Sequence, residues 1–113
     1  MIQNSRSKYH AKKVTYNGIT YDSKKEAKRH AELLLLERAG AITELRTQVR
    51  YELLPPQRID GKVVERPVFY IADFQYKQDG KTVVEDTKGM KTKDYIIKRK
   101  LMLLVHGIKI KEI

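Results

Sequence analysis

A segment in the second half of the chain, residues 70–89 (YIADFQYKQDGKTVVEDTKG), limits the possible folds most strongly. Two runs rich in β-branched and aromatic residues flank Asp79 and Gly80. Such runs are typical of β-strands, and an Asp-Gly pair between them is a strong signal for a two-residue turn. The segment therefore predicts a β-hairpin with Asp79 and Gly80 at its tip.

This turn sets the register of the two predicted strands. Gln78 faces Lys81, and counting back along both strands places Asp73 directly opposite Asp86. Like charges at a directly opposed pair destabilise a sheet. Because side chains alternate between the faces of a strand, Lys88 shares the face of Asp86. The hairpin therefore brings two carboxylates and an ammonium group to one face, which suggests a site for a divalent cation.

Such a set of groups is suited to hydrolysis of a phosphodiester. Carboxylate oxygens are good ligands for Mg²⁺ or for Mn²⁺ in its place, so we expect Asp73 and Asp86 to share the ion, with the carbonyl of Thr87 as a third ligand. Lys88 is then expected to orient or deprotonate the attacking water, or to stabilise the transition state. Glu85 points to the other face. The alternative is an ordinary exposed hairpin in which the acids are solvated and Lys88 pairs with Asp86.

The composition indicates a polyanion as the partner of the chain. Its 113 residues suffice for one small domain, and 24 Lys and Arg against 14 Asp and Glu give a formal net charge of +10. An excess of this size points most often to nucleic acid. There is no cysteine, and the longest solid apolar run is only residues 33–36. We therefore expect an intracellular, cytoplasmic protein without disulfides and without a membrane segment.

The order of predicted elements defines the expected fold class. Residues 1–13 are expected to be a flexible basic arm, and residues 14–113 a single domain. Along that domain we expect a small hairpin at 14–21, a helix from Ser23 to Gly40, a strand over 42–54, a turn at Asp60-Gly61, the central hairpin, a helix from Thr92 to Gly107, and a strand over 108–113. This order predicts an α/β fold with a small mixed sheet flanked by helices.

Two expectations concern the first helix. Its apolar stripe is expected to consist of Ala27, Ala31, Leu34, Leu35 and Ala39. Ser23 and Glu26 have the spacing of a capping box, in which the Glu26 carboxylate returns to the amide of Ser23. The spacing alone thus favours a capping role for Glu26.

Basic residues that are candidates for phosphate contacts fall into three groups. They are Arg6, Lys8, Lys12 and Lys13 in the arm, Lys24, Lys25, Lys28 and Arg29 at the start of the first helix, and Lys91, Lys98 and Arg99 around the second. Cations at a helix start oppose the helix dipole, which is unfavourable for folding but useful where DNA phosphates approach. A solvated face is the alternative.

The motifs together resemble a known nuclease family. An Asp is followed 13 residues later by D-x-K, after a helix with an early Glu, which resembles the PD-(D/E)XK nuclease superfamily. More narrowly, Y-N-G-I-T-Y-D-S-K-K-E-A, D-F-x-Y, E-D-T-K-G and Y-I-I-K-R-K-L look like the small phage and prophage endonuclease family related to Holliday junction resolvases. The resemblance covers most of the chain, from about residue 14 to residue 104.

The resemblance implies roles for particular residues. Asp73 is then the first acid of the motif, Asp86 the second acid, Lys88 the lysine, and Glu26 a helix acid close to the metal. Ala72 departs from the motif, because it stands at the position of its proline. The resemblance also implies a restriction-endonuclease-like core, Mg²⁺-dependent cleavage of DNA and a homodimer.

The leading hypothesis is therefore a metal-dependent endonuclease that cuts branched DNA, with the four-way junction as substrate. Symmetric cutting of a junction needs two active sites and hence a dimer. We expect the two subunits to meet near Leu53, Leu54 and the C-terminal strand. Two alternatives stay open. One is a non-catalytic basic module that binds nucleic acid, and the other is a nicking or restriction-like nuclease that does not depend on DNA structure.

Overall fold

The structure is a computed structural model that describes residues 13–113. The described residues form a mixed α/β fold with eight strands and two α-helices. The strands are β1 Val14–Tyr16, β2 Ile19–Tyr21, β3 Thr43–Leu54, β4 Gln57–Ile59, β5 Lys62–Glu65, β6 Val68–Gln78, β7 Lys81–Asp86 and β8 Lys111–Glu112. The helices are α1 Lys24–Arg38 and α2 Lys93–Leu101, and a π-helical turn, Met102–His106, continues α2. Most of the predicted basic arm, including Arg6, Lys8 and Lys12, lies outside the described residues.

The central element is a four-stranded mixed sheet in the order β3-β6-β7-β8. The first three strands are antiparallel, whereas β8 runs parallel to β7. A parallel neighbour requires a crossover connection, which α2 supplies. The pairs β1-β2 and β4-β5 form separate two-stranded hairpins. The predicted small mixed sheet with helices is confirmed.

The central hairpin has the predicted turn and register. Asp79 and Gly80 both have positive φ, 53° and 77°, as a type I′ turn requires. Gln78 pairs with Lys81, and the pairing continues without a shift to Phe74 opposite Glu85. Asp73 and Asp86 are the residues that come directly after this last pair on the two strands. The other two hairpins turn at the predicted Asn17-Gly18 and Asp60-Gly61 pairs, again with positive φ at both residues.

The two helices cover opposite faces of the sheet at β7. Val83 packs against a core that includes Leu33 of α1, which we call the first core. Its neighbour Val84 belongs to a core that includes Tyr95 of α2, which we call the second core. Because adjacent residues of a strand point to opposite faces, the helices lie on opposite sides of this strand.

The apolar stripe predicted for α1 is wrong for most of its members. The buried residues of the helix are Glu26, Ala27, His30 and Leu33. Leu34 and Leu35 are 46% and 64% exposed, and Ala31 and Ala39 are exposed as well. The inward face carries two polar residues that bond inside the fold; His30 Nδ1, for example, lies 2.5 Å from the Tyr21 hydroxyl. A search for apolar periodicity counts such a face as solvent-exposed, and therefore selects the wrong side of the helix.

The second helix begins and ends where the sequence predicts. The hydroxyl of Thr92 accepts a hydrogen bond from the Tyr95 amide at 3.1 Å, as an N-cap does. Gly107 ends the π-helical turn in the left-handed conformation, with φ 68°. Beyond it, the Ile113 amide donates to the carbonyl of Asp86 at 2.9 Å, so β8 supports the end of β7. No helix within residues 13–113 is long and apolar enough to cross a membrane.

Candidate functional site

Asp86 is the last residue of β7 and is almost completely buried, with 1% of its surface exposed. The Tyr70 hydroxyl donates to its Oδ2 at 2.6 Å, and the Lys88 amide donates to its Oδ1 at 2.8 Å. Burial raises the pKa of Asp86, and the nearby charge of Asp73 raises it further, although the Tyr70 bond acts in the opposite direction. The side chain is thus fixed in place but is costly to ionise.

Asp73 is held by Thr87, the residue that directly follows β7. The amide and the hydroxyl of Thr87 both donate to its Oδ2, at 2.8 and 2.7 Å, which leaves Oδ1 outside these two bonds. Thr87 is therefore a residue that orients Asp73. Its predicted role as a metal ligand through its carbonyl stays a prediction.

Glu26 combines the two roles that the sequence leaves open. Its amide donates to the Ser23 hydroxyl at 3.1 Å, which caps the helix. The carboxylate, however, accepts the amide of Asp22 at 2.9 Å and not that of Ser23, so the predicted return contact of the capping box is displaced by one residue. The side chain also lines the same cleft as Asp73, whose negative charge raises the pKa of Glu26. The capping residue is therefore also a second acid beside Asp73.

The environment of Glu26 opposes its negative charge. Only 4% of its surface is exposed, and burial is the largest cause of its raised pKa. The Asp22 amide lowers the pKa, but the charge of Asp73, the charge of Asp22 and a hydrogen bond with Asp73 raise it again. A cation bound beside Glu26 and Asp73 would relieve the repulsion that opposes the charge of Glu26.

Glu26 and Asp73 lie at an open cleft of about 750 Å³. Thr87 and Lys88 line the same cleft. The Lys88 ammonium is 3.9 Å from Asp86 Oδ2, and the side chain is 46% exposed. The pairing of Lys88 with Asp86 thus occurs, but at a distance that leaves the ammonium accessible from the cleft.

The acids do not form a complete three-ligand cage. Within residues 13–113, no group of three or more His, Cys, Asp or Glu side chains lies close enough together to hold a metal ion. Mg²⁺, however, keeps several waters and is usually bound by one or two carboxylates together with substrate phosphate. The neighbouring pair Glu26 and Asp73 offers two carboxylates whose repulsion a divalent cation would relieve, so the donor set fits Mg²⁺ or Mn²⁺ in its chemistry.

Glu85 lies on the other face, as predicted, and there it forms a buried ion pair. Arg29 donates to its two oxygens at 2.8 and 2.7 Å, and the Tyr76 hydroxyl is a third donor. Burial alone would raise the pKa of Glu85, but Arg29 and Tyr76 together lower it below its ordinary value. Arg29 also bonds to Glu32 at 3.1 Å, and its side chain is only 18% exposed. Arg29 is thus a member of an interior ion pair, and its predicted phosphate contact stays a prediction.

The other basic candidates differ in their exposure and in whether they form ion pairs. Lys24, Lys25 and Lys28 are exposed on α1. Lys13 is within 3.5 Å of Asp22 in an exposed pair and also lines the cleft. Lys91 and Arg99 both contact Glu112, at 3.9 and 3.2 Å. Lys98 borders a smaller cavity that also includes Lys88. Contact of any of these residues with DNA stays a prediction.

The sequence does not reveal two residues that hold the acids. Tyr70 bonds to Asp86 across the sheet, and Gln48 donates from its Nε2 to Glu26 Oε2 at 2.9 Å. The hairpin register indicates which acids face each other, but neither residue has a motif or a spacing that marks it. Only the packing of β3 and β6 brings them to the site.

The comparisons with known proteins give a family without an assigned activity. No curated protein and no solved structure matches the chain. A family model described as "protein of unknown function (DUF1064)" matches residues 6–111, which is nearly the whole chain. The chain with this cleft of buried acids therefore belongs to the DUF1064 family.

Proposed function

We propose that the protein is a Mg²⁺-dependent endonuclease that hydrolyses phosphodiester bonds in branched DNA, with the four-way junction as its substrate. One observation supports this most strongly: Glu26, Asp73 and Asp86 are buried carboxyls gathered near one cleft of a chain with net charge +10. Burying like charges side by side is unfavourable unless a cation compensates them. A binding module gains nothing from acids that face the phosphates of its ligand.

The proposed chemistry divides the work among four side chains. Glu26 and Asp73 would hold the ion, and we propose that Asp86 on the opposed strand and the carbonyl of Thr87 share it as further ligands. When bound, Mg²⁺ supplies a Lewis acid for the phosphoryl oxygen and an activated water. Mn²⁺ has the same preference for carboxylate and water ligands, so it is expected to substitute.

Lys88 is suited to act on the phosphate or on the attacking water. Its backbone amide is fixed on Asp86 Oδ1, so the start of its side chain is rigidly placed. Its ammonium lies at the cleft and is partly exposed. From there it would orient the water or stabilise the negative charge that develops on the phosphoryl oxygens.

The first test is a cleavage panel. Purified protein should cut labelled four-way junctions with Mg²⁺ or Mn²⁺ and should be inactive with excess EDTA. Flaps, linear duplex and single strands should be cut more slowly, because a domain of this size has little room for a separate module that reads bases. The products are measured on denaturing gels. No cleavage of any DNA with either metal would refute the nuclease, and equal rates on duplex and junction would favour the nicking or restriction-like enzyme.

The non-catalytic module is the second candidate, because the basic surface alone is enough for binding. It predicts affinity that weakens steeply with salt and does not require a divalent ion. Calorimetry with Mn²⁺ separates the two candidates. A metal site that disappears in Asp73→Ala supports the nuclease, and the absence of any metal binding supports the module.

The exposed lysines of α1 give a second prediction, on binding. In Lys24→Ala/Lys28→Ala, two cations on one helix face are removed, and junction affinity should fall with a salt dependence that is less steep by about 0.9 per lost phosphate contact. Fluorescence anisotropy at several salt concentrations measures this slope. Lys81→Ala is the control, because Lys81 stands at the other end of β7 from Asp86. An unchanged slope in the double variant would place the DNA elsewhere.

Two further parts of the proposal concern the assembly and its location. Paired cuts across a junction require two active sites, so we propose a homodimer, and sedimentation showing only monomer on the junction would contradict paired cutting. The basic charge and the absence of cysteine fit a protein that works in the cytoplasm, or in the host cytoplasm for a phage protein.

A further inference from the structure

Gln48 has a backbone conformation that is unusual for its place in a strand. It lies within β3, yet its φ is 52°, in the left-handed region that strands avoid. The neighbouring residues are paired normally, Thr47 with Phe74 and Val49 with Ala72, so Gln48 stands opposite Asp73 but outside the regular ladder. For a residue other than glycine, such a conformation is strained and persists only where the surroundings enforce it.

The strands change their packing at this point. In β6, Ala72 belongs to the second core and Phe74 to the first, although residues two apart should share a face. In β3, Tyr51 packs against the second core and Leu45 against the first. In β6 the exchange therefore falls at Asp73, opposite Gln48, and in β3 it falls between Leu45 and Tyr51, a stretch that contains Gln48. This distortion is what allows a residue of β3 to meet the start of α1.

The side chain of Gln48 completes the support of Glu26. Its Nε2 donates to Oε2 at 2.9 Å, while the Asp22 amide donates to Oε1 at 2.9 Å. One donor on each oxygen fixes the plane of the carboxyl. Hydrogen bonds donated to a carboxylate favour its charged form, which is the form that binds a cation, whereas burial and Asp73 oppose it.

We infer that Gln48 is a positioning residue, whose strained backbone and amide hold the Glu26 carboxylate beside Asp73 so that the pair can bind a divalent cation. This inference rests on the proposed metal-dependent function. It explains why Gln48, a strand residue in the left-handed conformation, bonds to the Glu26 carboxylate. Outer partners of metal ligands typically contribute 10–100-fold to metal affinity.

The test uses Gln48→Gly, because glycine accepts the left-handed backbone while the side chain that carries the amide is removed. Glu44→Gly is the matched control, since Glu44 also has a positive φ, 56°, in β3 and is exposed. Both variants should keep or raise the thermal midpoint. Only Gln48→Gly should weaken Mn²⁺ binding, by 10–100-fold in calorimetry, without a fall in the thermal midpoint of the metal-free protein.

The outcomes separate this inference from the proposed function. Wild-type protein that binds Mn²⁺, together with Gln48→Gly that binds it equally well, would overturn the role of Gln48 and leave the metal site standing. Wild-type protein that binds no Mn²⁺ would overturn the proposed function itself. If Gln48→Gly does not fold, Gln48→Asn replaces it, because Asn tolerates the left-handed region but is one methylene too short to reach Glu26 in the same way.

Discussion

Asp86→Asn should reduce Mg²⁺-dependent cleavage of four-way junctions by at least about 10³-fold, while the thermal midpoint of the folded protein rises by a few degrees. The loss of activity follows because asparagine removes the negative charge from the acid that faces Asp73. The gain in stability follows because burial and Asp73 raise the pKa of Asp86, so the folded protein is destabilised by its charge at neutral pH. Asparagine keeps an acceptor for the Lys88 amide, its NH2 group can donate to the Tyr70 oxygen, and the cost of the buried charge is relieved.

The effect of the Asp86 charge on the stability of the folded protein should depend on pH. A carboxyl whose folded pKa lies above its ordinary value of 3.8 binds its proton more tightly in the folded state than in the unfolded state. Its destabilising effect is absent below pH 3.8 and grows as the pH rises through the raised folded pKa. The stability difference between Asp86→Asn and wild type should therefore be near zero in strong acid and largest at neutral pH, as measured by thermal unfolding at a series of pH values.

Asp79→Asn is the control for this variant. Asp79 lies in the left-handed turn of the same hairpin, a conformation that asparagine adopts readily, so neither activity nor stability should change. Full activity in Asp86→Asn would remove this residue from the proposed chemistry. A lower thermal midpoint in that variant would show that Asp86 stabilises the fold despite its burial.

Arg29→Ala should destabilise the protein by about 3–5 kcal/mol, because it leaves the fully buried carboxylate of Glu85 without its cation. The two hydrogen bonds from Arg29 are lost together, and only the Tyr76 hydroxyl remains as a donor. Urea unfolding measures the change in the free energy of unfolding. Lys28→Ala, at an exposed neighbouring position, should stay within about 0.5 kcal/mol of wild type.

A double variant shows whether the buried charge is the cause. Arg29→Met/Glu85→Gln removes both charges at once and should recover most of the lost stability, since an uncompensated buried charge costs far more than a neutral polar group. Equal instability in the single and double variants would instead indicate that packing around Arg29 supports the fold. A fall in junction affinity without a fall in stability in Arg29→Ala would return Arg29 to the predicted DNA surface.

Local signals account for what the sequence predicted well. Asp79-Gly80 predicts a type I′ turn, and a turn of two residues determines which side chains face each other, so the pairing from Gln78 opposite Lys81 to Phe74 opposite Glu85 follows by counting. The start of α2 followed in the same way from Thr92, and its end from Gly107. Each of these signals acts between residues that are close in sequence.

Contacts between distant segments account for what was missed. The inward face of α1 carries Glu26 and His30, whose partners come from other elements, so the apolar pattern selected the wrong side. Arg29 looked like a free cation because nothing near it in sequence shows that Glu85 lies beneath it. The role of Gln48 depends on a strand distortion that no propensity predicts.

The parallel strand β8 links Asp86 at the end of β7 to helix α2. Glu112 pairs with Asp86, and its carboxylate also accepts the Tyr95 hydroxyl at 2.7 Å, so strand and helix are joined through one residue. Asp86 is therefore anchored through a segment that never borders the cleft. Substitutions that loosen α2 would let the end of β7 move and would therefore displace Asp86. They would alter the site without changing any residue that lines the cleft.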